Sequence, residues 1–508
     1  MEKTYTMDSP VLTIKDTQGN VQMSWDVWKA VEGTIIFGAT GSGKTSSATT
    51  IALKMLTMGF GGLVLTAKPD EKNMWVEYCR HAGRLHDLVV IEPGGNYSFN
   101  FMQYEAADKS NSKSYTGNIV RVLKTVIQAG EEKTSGKSDD PFWEESLDML
   151  LYNTIELNIL AFGEVSVQDM YNIVLSAPRP DDEPDQDTDE DEDRGFAHAM
   201  RMADKNIREL IEQFDLSLSP EQKERLNTPA LIDEAITEAI PEASRLKAVM
   251  QFFNQYYLNL NEKTRSIVDF SFTSFLFRLL KEPAYSLFCK RPSNITPEDC
   301  LEGKIVLINL PVKLYDKVGR DCQTMFKYIW QRAIERRNVN HNGRPVFLWS
   351  DEAQNFFHSY DTEFQTTARS SRVATVYMSQ NLPTCYAFMG GTKYKDRINS
   401  LLGNLGTKLF YANSDVETNR YASDLIGQGY YREVSKSFTI SGSYSSSESE
   451  APKLRKMVRP EEFVQLKTGG EKNNRHVEAY MIVQGNGFLN GLNFRKVTFI
   501  QQQVTSPK

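Results

Sequence analysis

One short stretch constrains this chain more than any other. "GTIIFGATGSGKTSSATT", residues 33–50, carries the pattern G-x-x-x-x-G-K-T at Gly38, Gly43, Lys44 and Thr45. Glycines let backbone N–H groups curl around an anion with no Cβ in the way. A helix starting there turns its positive end to the same spot. In such a loop the lysine reaches the β- and γ-phosphates and the hydroxyl binds Mg²⁺. The flanks agree: "TIIF" reads as a buried strand and "SSATTIALKMLTMG" as a helix ending at Gly59. The expected cradle is Gly38, Ala39, Thr40, Gly41, Ser42, Gly43, Lys44, Thr45 and Ser46. Its expected cofactors are ATP and Mg²⁺, with Thr45 on the metal. No N-K-x-D guanine motif is found, which weighs against GTP.

A phosphate cradle of this kind needs a carboxylate beside it. "GRPVFLWSDEAQNFF" supplies one: residues 346–349 are apolar and Asp351 and Glu352 follow at the strand's end. Asp351 is placed to hold Mg²⁺ through water, and Glu352 to polarise the attacking water. The plain alternative is an exposed acidic pair opening a helix. The strand-then-DE arrangement favours the catalytic reading, so the chain is expected to hydrolyse what it holds.

The 508 residues suggest two to four domains. Net charge is −8, but the tract "DDEPDQDTDEDED", 181–193, holds ten acids and no base, leaving the remainder at a formal +2. The overall acidity therefore does not argue against a nucleic-acid partner. The five cysteines, Cys79, Cys289, Cys300, Cys322 and Cys385, lack C-x-x-C spacing. Disulfide frameworks and zinc sites are not expected. No apolar run spans a bilayer and no signal-peptide pattern opens the chain. The expectation is a cytoplasmic protein.

Along the chain, 1–104 reads as the first part of a nucleotide-binding α/β domain, a βαβ series that implies a parallel sheet. Residues 105–296 are dominated by helical patterns such as "PFWEESLDMLLYNTIELNILAFG" and read as an inserted all-α domain. The acidic tract, near 179–195, is expected there as a solvated loop. Residues 297–508 resume the sheet with "GKIVLINLPV", "VFLW", "RVATVYMSQN" and "KLFYAN". A Ser-rich, low-complexity stretch, "SKSFTISGSYSSSESE", precedes a tail of antiparallel strands. Trp25 and Trp28 read as ordinary packing, with a ring on the nucleotide base as the weaker option.

Together these motifs resemble the coupling ATPases of type IV secretion and conjugation, the TraG/TraD class of FtsK/HerA-like, RecA-type motors. "GATGSGKTS" is similar to that family's P-loop, and "LVLTAKPDE", with Lys68 and Asp70, to its next strand and acidic turn. "EPGGNYSFNFM" resembles an FNP-like segment without its proline, and "DEAQNF" stands where the family has a DEF-like Walker B. "TARSSRVATVYMSQN", "NSDVETNRYASDLIG" and "SSSESEAPKLRKMVRPEEFVQL" resemble its arginine and strand-glutamine motif, its ND-x-ET helix and its closing RPEE-type helix. Their order spans about 450 residues. The usual members carry transmembrane helices ahead of the P-loop, where this sequence has only about thirty residues of soluble character.

The resemblance implies a RecA-like domain with a mainly parallel sheet plus the all-α insertion, and a homo-hexamer that moves DNA by phosphate contacts. It implies Gln380 as the γ-phosphate sensor. Arg369 or Arg372, less so Arg420, would be the finger offered to a neighbouring subunit. Relaxosome or secretion-channel proteins are the implied partners, with any location at the membrane's inner face supplied through one of them. A basic partner is expected for the acidic tract. Basic clusters at Arg332, Arg336 and Arg337 and at 453–459 are candidate DNA contacts or plain solvated faces. Two other uses of the same motor stay open: a soluble DNA pump of a phage, plasmid or defence system, and a nucleotide-dependent adaptor that recruits substrates.

Overall fold

The computed structural model describes residues 5–16, 18–107, 115–131, 141–180, 194–389, 395–440, 444–485 and 487–501. The acidic tract lies outside them. Thirteen strands are found among the described residues: β1 (Pro10–Lys15), β2 (Val21–Asp26), β3 (Thr34–Phe37), β4 (Gly61–Leu65), β5 (Leu88–Ile91), β6 (Ile305–Ile308), β7 (Val346–Ser350), β8 (Val373–Ser379), β9 (Thr407–Tyr411), β10 (Gln428–Ile440), β11 (Tyr444–Lys456), β12 (His476–Val483) and β13 (Phe494–Ile500). Nine form one sheet in the order β13-β12-β9-β3-β8-β7-β4-β6-β5. The pairs β9/β3, β3/β8, β8/β7, β7/β4 and β4/β6 are parallel, while β12 runs antiparallel to β9 and to β13. The fold is α/β, with a largely parallel sheet closed at one edge by an antiparallel pair.

The sequence dictates this layout through burial. β3, β4, β6, β7, β8 and β9 are buried at every residue. Strands covered on both faces read as near-continuous apolar runs, which suits a parallel sheet flanked by helices. On one side helix Lys44–Thr57 and helix Glu71–His81 pack through Ile51, Leu56 and Trp75 into a cluster with Ile36, Phe347, Val376 and Leu409. Trp75 stacks on Phe347 at 5.5 Å and meets Trp349 edge-on at 5.5 Å, which fixes the second helix against β7. Trp25 is fully buried and donates its Nε1–H to Thr407 Oγ1 at 3.0 Å, pinning the β1–β2 hairpin to β9. Trp28 is 38% exposed.

The chain divides into two compact units. Met1–Val90, Pro297–Leu314 and Trp330–Lys508 make the first, and Ile91–Thr296 with Tyr315–Ile329 the second. The second is helical. Helices Tyr115–Glu131, Pro141–Phe162, Val167–Leu175, Phe196–Ser217 and Glu262–Leu279 bury Ile119, Leu123, Leu150, Ile155, Met170, Ile207 and Phe272. Ser166 caps one of them by accepting from Asp169 N. The return of Tyr315–Ile329 to this unit was not foreseen from the sequence.

The Ser-rich stretch is not featureless. It forms much of a separate two-stranded antiparallel hairpin, β10 with β11, each 13 residues long, in register from Gln428↔Lys456 to Ile440↔Tyr444.

Candidate functional site

The expected cradle sits where three parallel strands end. β3 stops at Phe37, and the loop is hung between its neighbours: Gly38 N donates to Ser379 O and Ala39 N to Ala412 O. Gly43 caps helix Lys44–Thr57 in the left-handed region, at φ 84°. A Cβ there would lie 2.7 Å from both γ-carbons of buried Val477 on β12, so the turn needs glycine for backbone and space alike. Behind the loop, Ser47 Oγ donates to the Tyr411 hydroxyl at 2.7 Å and ties the helix to β9.

A cleft of about 360 Å³ opens above the loop. It is lined by residues 40–46 together with Lys68, Lys313, Glu352, Gln380, Thr468 and Gln501. Three of its features fit a polyphosphate and a magnesium ion. Lys44 is only 6% exposed yet makes no ion pair among the described residues. A buried ammonium that feels the Glu352 charge without pairing with it gains from an anion that arrives. Ser42 Oγ is buried with no hydrogen-bond partner among the described residues. Thr45 Oγ1 donates to Asp351 Oδ2 at 3.3 Å, bringing together the hydroxyl and carboxylate that hold magnesium in P-loop sites.

Asp351 and Glu352 follow β7 directly, and Glu352 takes a left-handed backbone, φ 51°. Such a turn in a non-glycine residue is uncommon and swings the side chain into the cleft. Glu352 Oε2 accepts from Gln354 Nε2 at 2.8 Å, and Gln354 Oε1 accepts from Ser379 Oγ at 2.9 Å. Its other oxygen, Oε1, lies 3.4 Å from Gln380 Nε2 and 3.5 Å from Lys68 Nζ. Burial pushes the Glu352 carboxyl up. The Gln354 amide, Lys68, Lys44 and Gln380 outweigh it and hold the carboxyl below the ordinary range.

Lys68 also bonds Asp351 Oδ2 at 2.9 Å. Burial pulls its ammonium down, but Asp351, Glu352 and Glu71 hold it above its ordinary value. Glu71 accepts from Ala67 N at 2.8 Å, and burial with the nearby Asp351 pushes its carboxyl up to about 8.

Of the residues expected from the sequence, Lys44, Thr45, Glu352 and Gln380 thus line one cleft, and Asp351 stands behind its wall, bonded to Thr45. Neither Arg369 nor Arg372 lines it. Arg369 is 61% exposed, 5.9 Å from the Trp28 ring centroid and 3.8 Å from Glu32. Arg372 sits just before β8, at the strand end opposite Gln380, and donates to Gly343 O at 2.7 Å. Arg420 lies on helix Val416–Ile426. Arg337 is committed inward, donating to the carbonyls of Arg344 and Ser371. In the 453–459 cluster, Lys453 and Arg455 pair with Glu433, Lys456 with Asp424 and Arg459 with Glu462. Sequence reasoning missed Gln354, Lys313, Thr468 and Gln501 and gave Lys68 no role. Only Gln354 had a local signal, a polar residue two places after the acid pair.

No helix among the described residues is long and apolar enough to cross a membrane.

Comparison with known proteins meets this geometry from two sides. Residues 345–468 match the family model described as the TraM recognition site of TraD and TraG. No curated protein sequence matches the chain. Among solved structures, the unbound monoclinic form of the bacterial conjugative coupling protein TrwBΔN70 is 14% identical with a TM-score of 0.58, over 98% of this chain and 90% of that one. TrwB with the non-hydrolysable GTP analogue GDPNP is 14% identical with a TM-score of 0.59, over 97% and 90%. TrwB with ADP and Mg²⁺ is 14% identical with a TM-score of 0.54, over 94% and 87%. At that identity the likeness is one of fold. The chain has the fold of the conjugative coupling proteins, and its residues 345–468 match the family model of the TraM recognition site of TraD and TraG.

Proposed function

We propose that this chain is a magnesium-dependent ATPase that drives DNA through a homo-hexameric ring and links DNA processing to a conjugation or type IV secretion channel. The observation that carries the reading is the convergence of Lys44, the Thr45–Asp351 pair, Glu352 and Gln380 on one cleft. Residues 38–46 would bind the phosphates by backbone N–H groups, with Lys44 supplying the charge. Thr45 and Asp351 would hold Mg²⁺, which when bound neutralises charge on the phosphates. Glu352, held ionised by Gln354, would orient and polarise the attacking water, and Gln380, beside it, would register the γ-phosphate.

Of the arginines, Arg369 is the better finger for a neighbouring subunit. It is exposed and backed by Trp28, whereas Arg372 is spent on a carbonyl of its own chain. Relaxosome proteins are the proposed partners, supported by the matched TraM-recognition segment. The acidic tract 181–193 is proposed to bind a basic partner, which its deletion would abolish.

The test is ATP hydrolysis by the full chain with and without single- and double-stranded DNA, beside Glu352→Gln. Stimulation by DNA, lost in the variant, is expected. Hydrolysis indifferent to either DNA would refute translocation and favour a nucleotide-dependent adaptor.

A further inference from the structure

We infer that Lys68 is an internal cation that occupies the acid pair and must be displaced by magnesium before the site can act. The inference rests on the nucleotide-site reading above. Lys68 Nζ lies 2.9 Å from Asp351 Oδ2 and 3.5 Å from Glu352 Oε1, bridging the two carboxylates. The same Asp351 oxygen receives the Thr45 hydroxyl at 3.3 Å. A metal held by Thr45 and Asp351 would contend with the ammonium for that same carboxylate. Cations that close in a partly buried site repel strongly, so the two compete for one position.

The backbone is built for such an exchange. Ala67 N is held by Glu71 Oε2 at 2.8 Å and Ala67 O by Lys313 N at 3.1 Å, so the root of the Lys68 side chain is fixed. Its side chain is 29% exposed and lines the cleft. Four flexible methylenes between a fixed root and an open head allow the ammonium to swing from the carboxylates toward the phosphate end of the cleft. While Lys68 sits on Glu352, that carboxylate is partly neutralised and a poor partner for water. Arrival of the metal releases it. The lysine thus keeps the hydrolytic centre idle without Mg²⁺ and shields the incoming nucleotide from two negative charges.

The experiment measures binding of a fluorescent ADP to the full chain, in EDTA and across a Mg²⁺ titration, for wild type, Lys68→Met, Lys68→Arg and Lys44→Ala. In Lys68→Met, metal-free affinity should fall tenfold or more, because the acid pair now faces the phosphates bare. The Mg²⁺ concentration giving half-maximal binding should fall tenfold or more, because no internal cation competes. Lys68→Arg should keep the wild-type profile. Equal weakening of Lys68→Met with and without metal would overturn the inference and make Lys68 a plain phosphate ligand. If Lys68→Met does not fold, Mn²⁺ binding to the nucleotide-free Lys68→Gln variant decides: binding absent from wild type supports exchange, and equal binding refutes it. Failure of wild type to bind ADP any better than Lys44→Ala would instead refute the nucleotide-site reading itself.

Discussion

Gln354 is the residue whose replacement tests the candidate chemistry most sharply. It is 4% exposed and does two jobs at once. Its amide nitrogen donates to Glu352 Oε2 at 2.8 Å, and its oxygen is fixed by Ser379 Oγ at 2.9 Å, which in turn accepts from Cys385 Sγ at 3.3 Å. Gln354→Leu keeps the volume and removes both bonds. A hydrogen bond to an ionised carboxylate is worth roughly 1.5–3 kcal/mol. If that bond aims Glu352 at the attacking water, its loss appears in the barrier, and about 1.4 kcal/mol corresponds to tenfold in rate. The expected fall in kcat is therefore about ten- to a hundredfold. Burial pushes the Glu352 carboxyl up and the Gln354 amide is the largest influence holding it down, so the acid limb of the rate profile should also move to higher pH. Nucleotide affinity should stay within about twofold, because Gln354 does not line the cleft. Steady-state ATP hydrolysis from acid to alkaline pH, paired with fluorescent-ADP binding, reads all three quantities. An unchanged kcat with an unmoved acid limb would refute the assignment of Gln354 as the residue that positions Glu352.

Three further outcomes are expected. Gly43→Ala should weaken nucleotide binding more than tenfold, since it combines about 1–3 kcal/mol of backbone strain with the collision against Val477, and the Val477→Ala double variant should recover part of it. Lys408 is buried and burial pulls its ammonium down from 10.5 to about 8, so its charge destabilises the fold fully below pH 8 and the penalty fades as pH rises to 10.5. Chemical denaturation of Lys408→Met should accordingly show a gain of about 2 kcal/mol near pH 7, after loss of its bond to Leu405 O, that vanishes by the upper pH. Trp25→Phe should cost about 1–2 kcal/mol in thermal unfolding by leaving Thr407 Oγ1 without its donor, while ADP affinity stays unchanged.

The parts of the site that sequence could reveal are those fixed by neighbours along the chain. Strand, glycine turn and helix sit within 33–59, and the "VFLWS" strand delivers Asp351 and Glu352 without help from elsewhere. Residues brought by the tertiary fold left no local trace. Thr468 and Gln501 reach the cleft from segments outside the parallel strands, and Lys68 meets Asp351 only because β4 and β7 are adjacent. The basic cluster at Arg332, Arg336 and Arg337 could not announce that Arg337 turns inward to two carbonyls. The Ser-rich stretch hid its strands for a different reason. Among the described residues β10 and β11 pair only with each other, and a two-stranded ribbon outside the main sheet need not carry the period-two signal that marks half-buried strands. Exposed Tyr430, Tyr431 and Leu454 were the remaining hints.

The strand order has a consequence for how the chain is made. β3, which carries the P-loop, is hydrogen-bonded to β8 and β9, and Gly43 packs on Val477 of β12. A nascent chain on the ribosome therefore displays the P-loop sequence early but cannot shape it until β8, β9 and β12 have emerged. Until β8 emerges the apolar TIIF segment has both edges open, and until β9 emerges one, the condition in which strands pair with the wrong chain. Nucleotide capture at the proposed site would thus be a late event in biosynthesis, and ribosome-stalled chains ending before 407 should neither retain nucleotide nor stay dispersed without a chaperone.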